Sequence, residues 1–464
     1  SIYNFTGVGS TYTLGRWFLG YAGLITSMFD LPWVNGAFSL FYISIVVILL
    51  TEMFEIKNKG MIVLCAAIFV SFPTVVSSFA YMYTADAYLL AFLLATLAVY
   101  LTWCVKKWGT IAGMVCLAFA MGIYQAYATV AIVLVLLYII RQFVIEKLDF
   151  LEAVRKDLKY LGMLVGGAVL YAVILKITLI RYNITLPGYQ GIGALGIMSL
   201  GQYKAALQKT LYHFRLILGM EHGVEKHVYS LLNAAALLLI GLILIYLLVR
   251  NQVYKKKMSM LASIAAVCLI PVGAYFINFT SPDVQYYTLM EMAVCLIYLL
   301  MIIMLLQLDW KTWISKILKG CGIFVLCGLV YYNVINCNIA YFNMNLSYHK
   351  SISIAEDVLQ RIEQMDEFQN QHDKVVIMGD YNCATENLQI MMPSIMGISN
   401  DSFLNDSYHY TIIWNYCFGV QMEQASYDEM MEIVETDEYK NMSVYPLKGC
   451  VEYINGIIVV KMQE

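Results

Sequence analysis

The stretch ADAYLLAFLLATLAVYLTWCV, residues 85–105, decides the fold. Its only charged residue is Asp86, next to its start. About 20 apolar helical residues cross the hydrocarbon core of a bilayer, and this run supplies them. Further runs of the same kind lie at about 33–55, 60–81, 109–124, 125–143, 160–181, 228–249, 259–279, 286–307 and 321–342, which makes ten expected spans. The pair 109–124 and 125–143 is joined by almost no loop. Composition agrees, with 61% hydrophobic and 13% charged residues, against about 25% charged in a soluble domain. The expected class is an α-helical polytopic membrane protein with a small C-terminal extracytoplasmic α/β domain. Residues 1–342 form the transmembrane part, with an extracytoplasmic loop at 182–227, and 343–464 form the soluble part.

Loop charge sets the orientation, because cytoplasmic loops are enriched in Lys and Arg. Lys57, Lys59, Lys106, Lys107, Arg141, Lys147, Arg155, Lys156, Lys159, Arg250, Lys255 to Lys257, Lys311, Lys316 and Lys319 fall in one set of loops. The opposite set, without the C-terminal part, holds Arg16, Arg181, Lys204, Lys209, Arg215 and Lys226. The first set is therefore assigned to the cytoplasm, and residues 1–32 and those after about 342 to the outside. The chain opens without Met on the polar segment SIYNFTGVGSTYTLG, which reads as the end of a loop preceded by a further helix. The next stretch, GRWFLGYAGLITSMF, is too short for a span and reads as an interfacial or re-entrant helix.

In the C-terminal part, SIAEDVLQRIEQMDEF has helical periodicity, with Ile354, Val358, Ile362 and Met365 on one face. KVVIMGD reads as a strand, YTIIWNYCF as a possible second strand, and YDEMMEIVETDEYKNM as a second helix. EYINGIIVVKM holds Asn-Gly between apolar runs, a hairpin signal. The net charge of -3 argues against a nucleic-acid partner, which needs a concentrated basic surface. Cys65, Cys116, Cys268, Cys295 and Cys327 sit in apolar runs and read as small hydrophobes. Among Cys383, Cys417 and Cys450, one disulfide is possible. No zinc-type Cys/His spacing occurs, so no structural metal is expected.

Charged groups at membrane depth need a reason. Asp86 reads either as a helix cap beside Thr84 or as a functional carboxylate. Glu291, one turn into its span, reads as an interior acid. Arg16 is suited to a lipid phosphate or to headgroup snorkelling. The loop QYKAALQKTLYHFRLILGMEHGVEKH gathers Lys204, Lys209, His213, Arg215, Glu221, His222, Glu225, Lys226 and His227. Lys204, Gln208 and Arg215 share a polar face, which suits an anionic headgroup or plain solvent. GIYQAY puts Tyr124 and Gln125, both suited to sugar hydroxyls, at the outer end of a span. KVVIMGDYN carries no phosphate-loop pattern, so no nucleotide site is expected.

The segments GRWFLGYA with DLPW, TADAYLLAFLLATLAVYL, GIYQAY and the closing YPLKGCVEYINGIIVVKM resemble the bacterial serotype-conversion O-antigen glucosyltransferases of the GT-C class. The resemblance implies transfer of a sugar, typically glucose, from a polyprenyl-phosphate carrier to a cell-surface glycan outside the cytoplasmic membrane. It implies an inverting displacement with a carboxylate as general base and basic groups on the departing phosphate. The resemblance places a catalytic acid in the first extracytoplasmic loop, most of which is expected to precede Ser1, and within this sequence the catalytic candidates are Asp86 and Glu221. Arg16, Tyr124, Gln125, Lys204, Arg215 and His222 bind substrate. The partners are the lipid-linked donor, the glycan acceptor and the bilayer. No cofactor is expected, and divalent-metal dependence stays open. Such enzymes tend to carry a basic residue in a late outer loop, where this chain reads SPDVQYYTLME without arginine. That shifts the phosphate role to Arg16 and the 204–226 loop. The rival readings are a lipid-linked-glycan flippase or transporter, a glycan polymerase or ligase, and a binding scaffold.

Overall fold

The computed structural model describes residues 8–186, 198–219, 226–369, 373–381, 404 and 406–463. The chain divides into two compact units, one ending at Cys337 and the other beginning at Asn338. The first unit opens on short turns and helix α1 (Leu19–Ala22). It continues with α2 (Pro32–Met53), α3 (Lys59–Ser71), α4 (Pro73–Phe79), α5 (Met82–Cys104), α6 (Gly109–Ile123) and α7 (Ala128–Val144). Then come α8 (Phe150–Tyr182), α9 (Leu200–Gly219), α10 (Lys226–Arg250), α11 (Lys257–Cys268), α12 (Ile270–Ala274), α13 (Leu296–Leu306) and α14 (Trp313–Glu363).

All ten apolar runs fold as helix, but not all as full-length spans. Among the described residues, six helices are long and apolar enough to cross a membrane, or seven if the pair α3–α4, bent by 42°, is one broken span. Pro73 opens α4 and causes that bend, since its ring cannot sit inside a continuous helix. Three of the runs give shorter helices: Gly109–Ile123, Lys257–Cys268 and Met292–Leu306. The Lys257 run is cut before Pro271. Helix α13 is short for a different reason. Every residue from Leu296 to Leu305 is buried, so it is a core helix enclosed by protein and has no lipid face to match.

The helix expected in GRWFLGYAGLITSMF is replaced by α1 and a 3-10 turn at Gly23–Thr26. Positive φ at Ser27 and Met28 closes this stretch. A Cβ at Gly23 would lie 2.7 Å from the Met28 Cγ, so the folded-back Met28 uses the space a side chain would need.

The basic loops are tied to one another. Arg141 Nη2 pairs with Glu55 Oε1 at 2.6 Å, Lys256 Nζ with Asp149 Oδ1 at 2.8 Å, and Arg250 Nη2 with Asp309 Oδ2 at 2.8 Å. Loops expected on one side of the bilayer therefore gather at one end of the bundle. Exposed pairs of this kind contribute little stability each. Their value here is to fix which loops share an end.

Helix α14 is longer than either helix expected there. Its 51 residues, about 76 Å at 1.5 Å per residue, join the last expected span to the first expected helix of the C-terminal part. The division at 337/338 and the expected boundary at 342/343 both fall inside this helix. Neither Gly nor Pro occurs between Gly328 and Glu363, so nothing stops it.

In the second unit, strands β1 (Lys374–Met378), β2 (Glu423–Gln424), β3 (Val451–Ile454) and β4 (Ile457–Lys461) form one sheet in the order β2-β1-β4-β3. The pairs β1–β2 and β1–β4 are parallel, and β3–β4 is antiparallel. Asn455 and Gly456, at φ 53° and 83°, make the turn that Asn-Gly predicts. Strand alternation divides the core. Val375, Ile377, Ile458 and Val460 face Ile354, Val358 and Ile362 of α14 and Trp414, while Val376, Met378 and Val459 face Ile433 and Met442. The segment expected as a strand at YTIIWNYCF is instead helix α15 (Ser407–Ile413) running into a π turn at Trp414–Phe418. Tyr410, Ile413 and Trp414, at spacings of three and four, pack into the core, a helical rather than an alternating pattern. The second expected helix is two, α16 (Tyr427–Val434) and α17 (Asp437–Asn441). Cys417 and Cys450 are free thiols, so they form no disulfide with each other. Cys383 lies outside the described residues.

Candidate donor site in the helical unit

Residues 14–18 are clamped to the C-terminal end of α6, to the turn that follows it and to Tyr171 of α8. The Gln125 side-chain amide donates to the Leu14 carbonyl at 3.1 Å and to the Tyr171 hydroxyl at 3.0 Å. Tyr171 in turn donates to the Gly15 carbonyl at 3.0 Å. The Phe18 N–H donates to the Gly122 carbonyl at 2.8 Å. Gly15 is required here: its φ is +69°, and a Cβ would lie 2.8 Å from the Gln125 Nε2. The clamp fixes Arg16, whose Nη1 donates to the Tyr88 hydroxyl at 3.1 Å. Its guanidinium carbon sits 4.3 Å from the centre of the Tyr124 ring. Tyr88 and Tyr124 stack at 5.1 Å. The hydroxyl and the ring face fix where the guanidinium sits, and a guanidinium is a group suited to phosphate.

Arg16, Tyr124 and Gln125 form the polar rim of a cavity of about 660 Å³. Its walls are apolar: Leu161, Val165 and Ala168 of α8, with Phe276, Ile277 and Met290 among the others opposite. Polar groups at one end and hydrocarbon along the wall are what an amphipathic, lipid-tailed ligand requires.

A second polar cluster borders this cavity. Val284 lines it, and Lys209 of α9 donates to the Val284 carbonyl. The Glu291 carboxylate, 5% exposed, accepts from the Tyr275 hydroxyl at 2.7 Å. His213 packs against Tyr275 and Tyr286, at 6.1 and 5.5 Å between ring centres. Burial lowers the pKa of Lys209, opposed by Asp283. Burial, with Lys209 nearby, also lowers that of His213.

The other expected site residues separate. Lys204, Gln208 and Arg215 lie on the exposed face of α9, opposite the buried Ala206, Thr210 and Ile217. None of them lines the cavity. Glu221 and His222 lie outside the described residues. Asp86 is 2% exposed and sits in the second turn of α5, so it does not cap that helix. Its Oδ2 accepts from the Thr26 hydroxyl at 3.3 Å and its Oδ1 from the Asn35 amide at 3.2 Å. Asn35 also accepts the Leu31 N–H at 2.9 Å. Asp86 thus ties the 26–35 segment to α5 and is not among the residues lining the cavity. Sequence reasoning missed Asp30, partly exposed in that tied segment, and the roles of Tyr88, Tyr171, Tyr275 and Tyr286. With 36 tyrosines in the chain, no local signal separates these four. Among the described residues, no group of His, Cys, Asp and Glu is arranged to hold a metal.

Fold and cavity together define a polytopic helical membrane protein with an amphipathic cavity near the end of the bundle away from its basic loops. The sequence profile of the family described as "Glucosyl transferase GtrII" matches residues 2–290, and the chain belongs to that family. Glucosyl transfer is therefore its chemistry, in keeping with the serotype-conversion resemblance. Every residue named as lining the cavity falls inside the matched stretch. Neither curated proteins nor solved structures give a match.

Proposed function

We propose that the protein transfers glucose from a polyprenyl-phosphate carrier to a surface glycan on the extracytoplasmic side of the bacterial cytoplasmic membrane. The observation that carries this reading is the cavity, apolar along α8 and rimmed by Arg16, Tyr124 and Gln125. The carrier's prenyl chain would lie against the α8 wall, and its phosphate at the Arg16 fork. As the glucosyl–phosphate bond breaks, charge grows on the leaving phosphate, where a pre-oriented guanidinium stabilises it. Tyr124 and Gln125 offer hydroxyl and amide contacts to the sugar. The extracytoplasmic assignment rests on the basic loops gathering at the opposite end.

The acceptor hydroxyl needs a carboxylate base that it can reach. Asp86, 2% exposed with hydrogen bonds on both oxygens, is suited to positioning. This reading gives the base role to Asp30, in the segment that Asp86 ties to α5. Purified protein in proteoliposomes, supplied with radiolabelled polyprenyl-phosphate-glucose and acceptor glycan, should consume the donor. UDP-glucose should not replace it. Donor that crosses between leaflets unconsumed would sink this reading and favour the flippase.

A further inference from the structure

Helices α10 and α14 run antiparallel, side by side, and meet at two levels. At one, a Cβ on Gly328 would lie 3.2 Å from the Leu232 Cδ1. At the other, the basic end, the Tyr246 and Thr312 hydroxyls are 3.3 Å apart and Arg250 Nη2 pairs with Asp309 Oδ2 at 2.8 Å. Between these levels the helices part. An apolar groove of about 440 Å³ opens there, walled by Ala235 and Leu238 of α10 and by Gly320, Cys321 and Phe324 of α14. Small residues in membrane helices commonly let two backbones close up. Gly320 does not serve that purpose: among the described residues, no atom lies within 4 Å of where its Cβ would be. Two residues on, Gly322 is tightly packed, its Cβ position 2.5 Å from the Leu305 Cδ2 of α13. Helix α14 is thus seated on α13 by one face and leaves another open. Neither α10 nor α14 lines the donor cavity.

The mouth of the groove is aromatic and basic. Trp313, Lys316, Gly320 and Phe324 follow at spacings of three, four and four, so they share one face of α14. Trp313 and Phe324 are 75% and 74% exposed, and Lys316 is exposed with them. Trp310, also exposed, carries Lys319 Nζ at 5.4 Å from its ring centre. Tryptophans gather at the level of lipid headgroups. Gly320 lies about 10 Å further along the helix from Trp313, at 1.5 Å per residue, at the depth of acyl chains. Asp309 is the only acid from Met292 to Ala355, and it is paired with Arg250. Lys311, Lys316 and Lys319 therefore leave this end positive.

We infer that the groove between α10 and α14 holds an anionic phospholipid, with an acyl chain in the groove and the phosphate at Lys316. Charge selects this occupant. A lipid without net charge would fill the groove equally well but draw less from the three lysines at its mouth, whereas an anionic headgroup is attracted by each of them. A second copy of the chain, related by an axis along the membrane normal, would bring its own lysines to the same level, like charge against like.

Native mass spectrometry tests this on the full-length protein, delipidated in detergent and titrated with phosphatidylglycerol or with phosphatidylcholine of the same acyl chains. Phosphatidylglycerol should bind at least fivefold more tightly. Lys316→Gln should lose about fivefold for phosphatidylglycerol and leave phosphatidylcholine unchanged. Gly320→Leu sets a side chain into the groove and should weaken both lipids about tenfold or more. That side chain enters open space, and leucine favours a helix over glycine, so the lipid-free melting temperature should not fall. Arg16→Gln should bind phosphatidylglycerol as the wild type does, which separates the groove from the donor cavity. Equal affinity of the wild type for the two lipids, or wild-type binding of phosphatidylglycerol by both Lys316→Gln and Gly320→Leu, would overturn the inference. So would a dimer that takes up no lipid and falls apart in Gly320→Leu, which would give the groove to a second copy.

Discussion

Arg16→Gln is the perturbation that most directly examines the donor site. The wild-type guanidinium is held by the Tyr88 hydroxyl at 3.1 Å and by the Tyr124 ring at 4.3 Å. In the proposed complex it adds a charge-assisted bond to phosphate, worth roughly 1.5–3 kcal/mol. Glutamine removes that bond, so kcat/KM for the lipid donor should fall about 10- to 150-fold. Arg16→Lys keeps the charge but gives up the fork and its stacked seat. A cation over a ring contributes about 0.5–2 kcal/mol, which predicts a loss of about tenfold. Tyr88→Phe removes one neutral hydrogen bond, about 1 kcal/mol, for a loss of about fivefold. The assay is consumption of radiolabelled polyprenyl-phosphate-glucose in proteoliposomes, with thermal melting run on each variant. The gradation Gln, Lys, Phe is the signature of a positioned phosphate ligand. Arg16→Gln within twofold of wild type, at equal folded fraction, would refute the reasoning.

Two further outcomes follow from other parts of the chain. Asp86→Ala should leave the buried Asn35 amide without its acceptor, at about 1–3 kcal/mol; a lower melting temperature with residual turnover is expected, whereas abolished turnover at unchanged melting would make Asp86 the base. Glu429 is held at about 2, below its usual 4.5, chiefly by the Lys374 ammonium and then by the Ser426 N–H. A depressed carboxylate adds stability above its unfolded pKa and loses it as pH falls through the folded one. Protection of the 426–434 amides from hydrogen exchange should therefore decline from about pH 5 towards 2, and Glu429→Gln should flatten that decline; an unchanged pH profile in the variant would refute it.

What could be read in the chain follows from how local each signal is. Burial in lipid or in a sheet leaves a periodicity in one stretch, so ten apolar runs and the Asn455-Gly456 hairpin were legible. Length was less so, because the sequence of α13 cannot say whether lipid or protein surrounds it; both reward the same residues. YTIIWNYCF carries strand-type residues, yet the Tyr410, Ile413 and Trp414 spacing made it helical once a core was available. The join of two expected helices into α14 was visible only as an absence of breakers.

The candidate site was half legible for the same reason. Arg16, Tyr124 and Gln125 stood out as polar groups beside apolar runs, and the cavity rim gathers all three. Lys204 and Arg215 stood out equally, yet the rotation of α9 turns them to solvent and brings Lys209 and His213 inward. Charge content named the helix; only its packing against Tyr275, Tyr286 and Val284 chose the face. Asp86 illustrates the remaining gap. A buried acid in a span signals that something is bound, but the sequence does not say whether the partner is substrate or protein. Thr26 and Asn35 lie 60 and 51 residues away, and a bond across that separation leaves no pattern in either segment. A polar residue at membrane depth thus marks where the fold must satisfy a charge, and a place on the lining of a cavity, as for Arg16 and not for Asp86, is what makes it a candidate for the chemistry.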